Sequence, residues 1–283
     1  MRQTIVFWRL SAGWLGQRLT DHGKRWSVLV CPTSSLRAPY YDGFVPTALV
    51  LSAGGMFAAW EAGFWKVLSG RWQPDLVVGA SAGSWNGWAI AGGCPPDELI
   101  QNWLDPRMGA IMRLGLHSTG ILRPDALHRE AQRLFERCRP QIDFALTMVE
   151  VPILRARVVR GPEVGWQHLA ASCSIPCAFP PVRIEGRRYV DGGLLGALPT
   201  WAAEKLGATR ALALNVLNIM PFRLLHAVTT VRRPRSALEV VHLEPSTPLG
   251  SLKEAVCWSR ETVARMIEQG ERDAKLALPS ITM

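Results

Sequence analysis

The sequence predicts an α/β fold built on a mainly parallel central sheet. Two short apolar runs, residues 48–52 and 75–79, are each followed by a segment of helical spacing, a β-α-β-α opening that closes as a right-handed crossover. Both runs are nearly continuous in apolar residues rather than alternating, as strands covered on both faces are. At 283 residues the chain is long enough for one large domain and an appendage.

The elements follow in order. Residues 1–45 show no sustained period and end in a turn-rich, proline-containing stretch, CPTSSLRAPYYDGFVP, so they are expected to be a basic leader and linker, with the catalytic domain over 46–283. After the first strand, Phe57, Trp60, Phe64, Val67 and Leu68 recur at helical spacing until Gly70. The second strand, DLVVG, leads into SAGSWNGWAIAGG, a small-residue helix ending at Gly92 and Gly93. PPDELIQNWL and RPDALHREAQRLFERC both open on proline and acid, as helix starts do. FALTMVEV and RARVVRG read as a hairpin or neighbouring strands, RRYVDGG as a strand running into a glycine turn, and ATRALALNV as a buried strand. A final pair of helices is expected after it, with residues 251–269 as the last long helix, and there is no internal repeat.

Composition narrows the function classes. Hydrophobic residues make up 48% and charged residues 19%, the balance of an ordinary globular protein. The formal charge of +9 favours anionic partners, but the basic residues are scattered, with a knot at Arg232, Arg233 and Arg235 and a spread from Arg107 to Arg139, and no nucleic-acid signature accompanies them. Nucleic acid is therefore not an expected partner. The six cysteines, Cys31, Cys94, Cys138, Cys173, Cys177 and Cys257, form no CxxC pair and suit reduced thiols. Without HExxH, clustered His/Cys or an EF-hand pattern, neither a metal nor any cofactor is expected. Arg9 interrupts the only apolar run near the start, and no 18-residue apolar stretch occurs, so a cytoplasmic protein is expected, with peripheral membrane contact as an option. That contact would come from a helical face of Ile5, Trp8, Ala12, Leu15 and Leu19 beside Arg2, Arg9, Arg18, Lys24 and Arg25. The competing reading is a leader without order, since Gly13 and Gly16 weaken a helix.

The sharpest chemical signal is Gly79-Ala80-Ser81-Ala82-Gly83, a GxSxG sequence placed directly between a strand and a helix. Glycines two residues either side leave room for a tight turn that lifts the Ser81 hydroxyl clear of the sheet. A second glycine turn, Ser52-Ala53-Gly54-Gly55-Met56, follows the first strand and would lie beside the serine turn, where backbone amides face a developing oxyanion. For the base, the candidates are His22, His117, His128, His168, His226, His242 and Asp191 of the Tyr189-Val190-Asp191-Gly192-Gly193 segment. Asp191 has the best context, at the end of an apolar strand before two glycines. Read alone, the Asp-Gly-Gly turn is an ordinary turn.

LVLSAGGMFAAWEAG, VVGASAGS and ASCSIPCAFPPVRIEGRRYVDGGL together resemble the patatin-like phospholipase family in order, spacing and flanking sequence, over roughly residues 46–215. The resemblance implies a three-layer α/β/α domain with a nucleophile elbow. It implies a Ser81 nucleophile with Asp191 as proton acceptor and no histidine, an oxyanion hole from Gly54 and Gly55 helped by the Ala82 amide, and Gly79, Gly83, Gly192 and Gly193 as turn glycines. The activity implied is hydrolysis of lipid acyl esters through an acyl-enzyme. The chain departs from the pattern at Ala53, which stands where the family has its first glycine, and at Phe57, which replaces a basic residue. Two other readings stay open: an α/β-hydrolase esterase with a Ser81, Asp191 and His226 or His242 triad, and a lipid-binding protein whose hole is disabled by Phe57. Of the twelve tryptophans, Trp60, Trp65, Trp72, Trp85, Trp88 and Trp103 cluster around the proposed site, with Trp60 and at least half of the others expected in the core. Cys173 and Cys177 are expected to be buried structural thiols.

Overall fold

The computed structural model describes residues 15–21, 24–30, 47–117, 120–217 and 237–281. The chain divides into two compact units, Met1–Phe44 and Val45–Met283.

In the first unit, β1 (Leu15–Asp21) and β2 (Lys24–Val30) pair antiparallel, with Leu15 opposite Val30 and Asp21 opposite Lys24. This corrects the helical face drawn through Leu15 and Leu19. Gly16 disfavours a helix there, while Trp26, Val28 and Val30 favour an extended partner strand. Ile5, Trp8 and Ala12 lie outside the described residues.

The second unit is a three-layer α/β/α domain. Its sheet holds β3 (Thr47–Leu51), β4 (Leu76–Ala80), β7 (Asp143–Val151), β8 (Arg155–Arg160), β9 (Val182–Ile184), β10 (Arg187–Asp191), β11 (Arg210–Leu214) and β12 (Glu239–Leu243). The order is β12-β11-β3-β4-β7-β10-β9, with β8 on β7. Strands β12, β11, β3, β4 and β7 are mutually parallel, and β8, β9 and β10 are antiparallel to their neighbours. Leu49, Leu51, Val77, Phe144, Leu146 and Leu212 face one apolar cluster, whereas Ala48, Val50, Val78, Ala145, Ala211 and Ala213 face the other. Both faces are covered, which is why the strands read as continuous apolar runs.

The thicker layer contains α1 (Ala59–Leu68), α2 (Ala82–Ala91), α3 (Pro96–Leu104), α4 (Arg107–Ile111), α5 (Pro124–Arg137) and α6 (Trp166–Ser172). On the opposite face, α7 (Thr200–Lys205) places Ala202 and Ala203 against the sheet. The last long helix expected over 251–269 is two helices, α8 (Leu252–Val256) and α9 (Arg260–Ala277). Ser259 breaks it by accepting the Thr262 amide at 3.1 Å as a helix cap. The α9 helix packs on α1, and the Trp60 indole donates to Asp273 at 2.8 Å. A short pair, β5 (Leu114–His117) and β6 (Gly120–Leu122), lies between the two helices that open on proline and acid, α3 and α5. Among the described residues no helix is long and apolar enough to cross a membrane.

The topology sets up the site. Thr147 of β7 pairs with Ala80 of β4, and the next residue, Met148, pairs with Asp191 of β10. Because β8 occupies the other edge of β7 over these positions, β4 and β10 share one edge and run toward each other along it. The last residue of β10 therefore arrives beside the residue that follows β4.

Candidate active site

Ser81 follows β4 directly and caps α2 with φ 51° and ψ −130°, a left-handed conformation that a non-glycine residue holds at a cost of about 1–3 kcal/mol. The surroundings impose it. The Ser81 amide donates to Ser172 Oγ at 3.0 Å, and the Ser172 hydroxyl donates to the Thr147 carbonyl at 2.8 Å. The Ser81 carbonyl accepts from the Ser84 amide at 2.8 Å and the Ser84 hydroxyl at 2.6 Å. Gly83 lets α2 start this close to the sheet, since a Cβ there would lie 2.5 Å from the Ser52 carbonyl oxygen. Gly79 is closed in by the backbone of Gly83 and Ser84 in the same way.

The Ser81 hydroxyl donates to Asp191 Oδ2 at 2.6 Å, and the other carboxylate oxygen accepts the Gly193 amide at 2.7 Å. Both side chains are buried, each 5% exposed. Burial pushes the Asp191 carboxyl up to about 6, against the opposing pull of its hydrogen bonds from Ser81 and Gly193. Gly192 is packed on Thr147, and the Asp191 amide donates to Ser174 at 2.9 Å. The two residues that the sequence proposed 110 positions apart are thus in direct contact, with no imidazole between them.

The second glycine turn lies beside the serine. Gly54 and Gly55 lead into a 3₁₀ turn, Gly55–Ala58, and Gly55 lines a small cavity with Ser81 and Ala82. Among the described residues no protein acceptor takes the amides of Gly54, Gly55 or Ala82. Gly55 has φ 57°, and the Ala255 carbonyl of α8 fills the place a Cβ would need. The Ala53 amide is committed to the Ala197 carbonyl at 2.7 Å, and its methyl fits because its neighbour is Gly193, where a Cβ would come within 2.7 Å of it. Phe57 is fully buried in the main apolar cluster and is not among the residues lining the cavity at Ser81.

The histidines lie elsewhere. His242 is exposed on β12, an edge strand separated from β4 by β11 and β3. His168 accepts the Gly165 amide at 2.9 Å at the start of α6, with burial lowering its pKa, and the His128 ring packs edge-on against Trp166. His22 and His226 lie outside the described residues, as does the side chain of His117.

Sequence reasoning missed the polar supports of the turns. Glu61 is fully buried and accepts the Ser52 amide and the Asn86 amide group, each at 2.9 Å, and desolvation pushes its carboxyl up to about 8. Asn86 also accepts the Trp103 indole at 2.8 Å, so β3, α1, α2 and α3 are joined behind the glycine turn. Cys173 borders the dyad, and burial together with the Asp191 charge raises its thiol well above the usual value. Cys177, expected buried, is exposed. Trp60, Trp65 and Trp88 are core residues, Trp72 is half-buried against it, and Trp85 and Trp103 line the cavity. Among the described residues no group of three or more His, Cys, Asp or Glu side chains is arranged to hold a metal ion.

Patatin-like phospholipase domain-containing protein 6 of Mus musculus and of Homo sapiens are each 26% identical over 181 residues, covering 60% of this chain and 13% of theirs. The chain therefore spans a small part of the curated relatives it matches. VipD from Legionella pneumophila superposes with a TM-score of 0.55 at 11% identity, over 83% of this chain and 67% of that one, a likeness of fold. The model of the patatin-like phospholipase family matches residues 49–204, more than half of the chain and a stretch containing both glycine turns, Ser81 and Asp191, and so the chain belongs to that family.

Proposed function

We propose that the chain is a serine acyl hydrolase acting on fatty-acyl esters of lipids, with Ser81 as nucleophile and Asp191 as its base. The observation that carries this reading is the 2.6 Å hydrogen bond from a strained, buried serine to a buried carboxylate. A carboxylate of ordinary pKa is a weak base, and burial moves Asp191 to about 6, closer to a working pH near neutrality. In this mechanism Ser81 Oγ attacks the ester carbonyl carbon while its proton passes to Asp191 Oδ2. The tetrahedral oxyanion is met by the amides of Gly54, Gly55 and Ala82, each such donor being worth about 10²–10³ in rate. Collapse breaks the ester C–O bond, and the alcohol leaves with the proton from Asp191. Water, deprotonated by the same carboxylate, then attacks the acyl-enzyme and releases the fatty acid.

The family supports a lipid substrate. Contact with an anionic membrane surface is part of the proposal and draws on the net charge of +9. The triad alternative is disfavoured by the position of His242 and by the direct contact of Asp191 with Ser81. The binding-protein alternative is disfavoured because Phe57 is buried in the core and is not among the residues lining the cavity at Ser81. The test is hydrolysis of a fatty-acyl ester by the wild type, Ser81→Ala and Asp191→Asn proteins, with folding checked by circular dichroism. Both variants are expected at background, because nucleophile and base act as a unit. Substantial turnover by either folded variant would refute the dyad.

A further inference from the structure

Large apolar side chains stand in solvent at the end of the sheet that carries Ser81. Strand β7 runs parallel to β4 and continues past Thr147, the partner of Ala80, to Val151, so its end lies about 13 Å beyond Ala80 on the side of the serine turn. At the tip of the β7–β8 turn that follows, Ile153 is 60% exposed and Leu154 58%. Leu154 has φ 50°, a left-handed conformation that glycine or asparagine holds with little strain. An apolar side chain is thus kept at the tip against the local preference of the backbone.

The same end is basic. Strand β10 begins beside the tip, with Arg188 opposite Val151. Arg188 also stands directly opposite Arg183 of β9, an arrangement of like charges that costs stability unless an anion lies over it. Arg155 follows Leu154, and Arg187 stands with Glu185 at the β9–β10 turn, all of them exposed. Arg187 is engaged with Glu150, whereas Arg155, Arg183 and Arg188 form no direct ion pair among the described residues.

Two further places around Ser81 repeat the combination. The Ala255 carbonyl of α8 packs on Gly55, and the helix exposes Leu252 and Val256, one turn apart, together with Lys253. Ile121 of β6 donates its amide to Ala178 at 3.0 Å, next to Phe179 of the cavity at Ser81, and its side chain is exposed with Arg123 two residues on. Single exposed apolar residues are ordinary on a surface. Apolar side chains on three elements around one serine turn, each accompanied by arginine or lysine, match an interface that offers hydrocarbon beneath anionic phosphates.

Resting on the hydrolase reading above, we propose that this end of the domain docks on an anionic lipid surface, with Ile153 and Leu154 entering the headgroup layer and Arg155, Arg183 and Arg188 meeting lipid phosphates. The membrane contact then belongs to the catalytic domain and holds the serine turn on the lipid side.

The experiment measures partitioning of the full chain onto vesicles of phosphatidylcholine alone and of phosphatidylcholine with an equal share of phosphatidylglycerol. The proteins are the wild type, an Ile153→Ser, Leu154→Asn double variant and an Arg183→Gln, Arg188→Gln double variant, each checked for melting temperature. The wild type is expected to prefer the anionic vesicles, and salt should weaken its binding. The tip variant should bind both kinds of vesicle about tenfold or more weakly, since two apolar side chains no longer leave water. The arginine variant should lose about tenfold or more on anionic vesicles alone, together with part of the salt dependence. Both variants should hydrolyse the soluble ester p-nitrophenyl butyrate at the wild-type rate. A normally melting variant that binds anionic vesicles within about twofold of wild type overturns the assignment of its residues to the docking face, and a wild type that does not bind them overturns the whole inference. If the variants lose vesicle binding as expected but the wild type hydrolyses no ester, the docking face stands and the hydrolase reading alone fails.

Discussion

Asp191→Asn is expected to abolish activity and, at alkaline pH, to stabilise the fold. Burial raises the carboxyl from 3.8 to about 6, a rise that corresponds to about 3 kcal/mol of stability withheld from the ionised protein. The direction follows from linkage: a group whose folded-state pKa lies above its unfolded value supports the fold fully below 3.8. That support is lost progressively up to about 6, and the penalty is constant above. Asparagine removes the charge and keeps an acceptor for the Gly193 amide, but one N–H of its amide is left without a partner in a buried site, a cost of about 1–2 kcal/mol. The net gain near pH 8 is therefore about 1–2 kcal/mol, or roughly 2–8 °C in Tm for a domain of this size. At pH 4 the wild-type carboxyl is protonated too, and the variant should melt slightly below the wild type. Melting curves at pH 4, 5, 6 and 8 check this. A shift of the same sign and size at every pH would refute the account of a charge held at the expense of stability. The same protonation predicts that wild-type kcat/KM rises with pH through about 6 and then levels off, because the base works only when ionised.

Other perturbations separate support from chemistry. Ser172→Ala removes the acceptor of the Ser81 amide and should lower kcat about 10–100-fold with little change in KM, read by steady-state kinetics, because misplacing the hydroxyl costs rate rather than binding. Gly83→Ala drives a methyl against the Ser52 carbonyl and the Leu51 backbone and should destabilise by about 2–3 kcal/mol in urea unfolding. Glu61→Ala strands one Asn86 amide N–H in a buried site and leaves the Ser52 amide only its 3.1 Å bond to the Leu214 carbonyl, and should cost about 2–3 kcal/mol by the same measurement. Replacing His168 or His242 singly with Ala should retain more than about a tenth of the activity, as neither approaches the Ser81–Asp191 contact.

Local chemistry made much of the fold readable. The two buried strands and the glycines of the serine turn and the Asp-Gly-Gly turn are local features, so the strand-turn-helix at 76–91 and the strand ending at Asp191 stand as expected. What was not readable depends on partners far along the chain. Ser172 lies 91 residues from the amide it fixes, and Glu61 reads as one more acid in an apolar helix until Ser52 and Asn86 are brought to it. The head-on approach of β10 to β4 is a property of their shared neighbour β7, invisible in either strand. Strand β12 escaped notice because its pattern is that of a half-exposed sheet edge, and β5 and β6 because they are too short for any period to register. The helix break at Ser259 was legible in principle, through a serine three residues before Thr262.

The central claim is that Asp191 makes the Ser81 hydroxyl a nucleophile. A fluorophosphonate probe tests it directly, since the probe bonds covalently to an activated serine and the modified peptide is located by mass spectrometry. The account predicts stoichiometric labelling at Ser81 in the wild type, none in Ser81→Ala, and labelling slowed by orders of magnitude in folded Asp191→Asn. A folded wild type that does not label at Ser81, or an Asp191→Asn protein that labels at the wild-type rate, would contradict it.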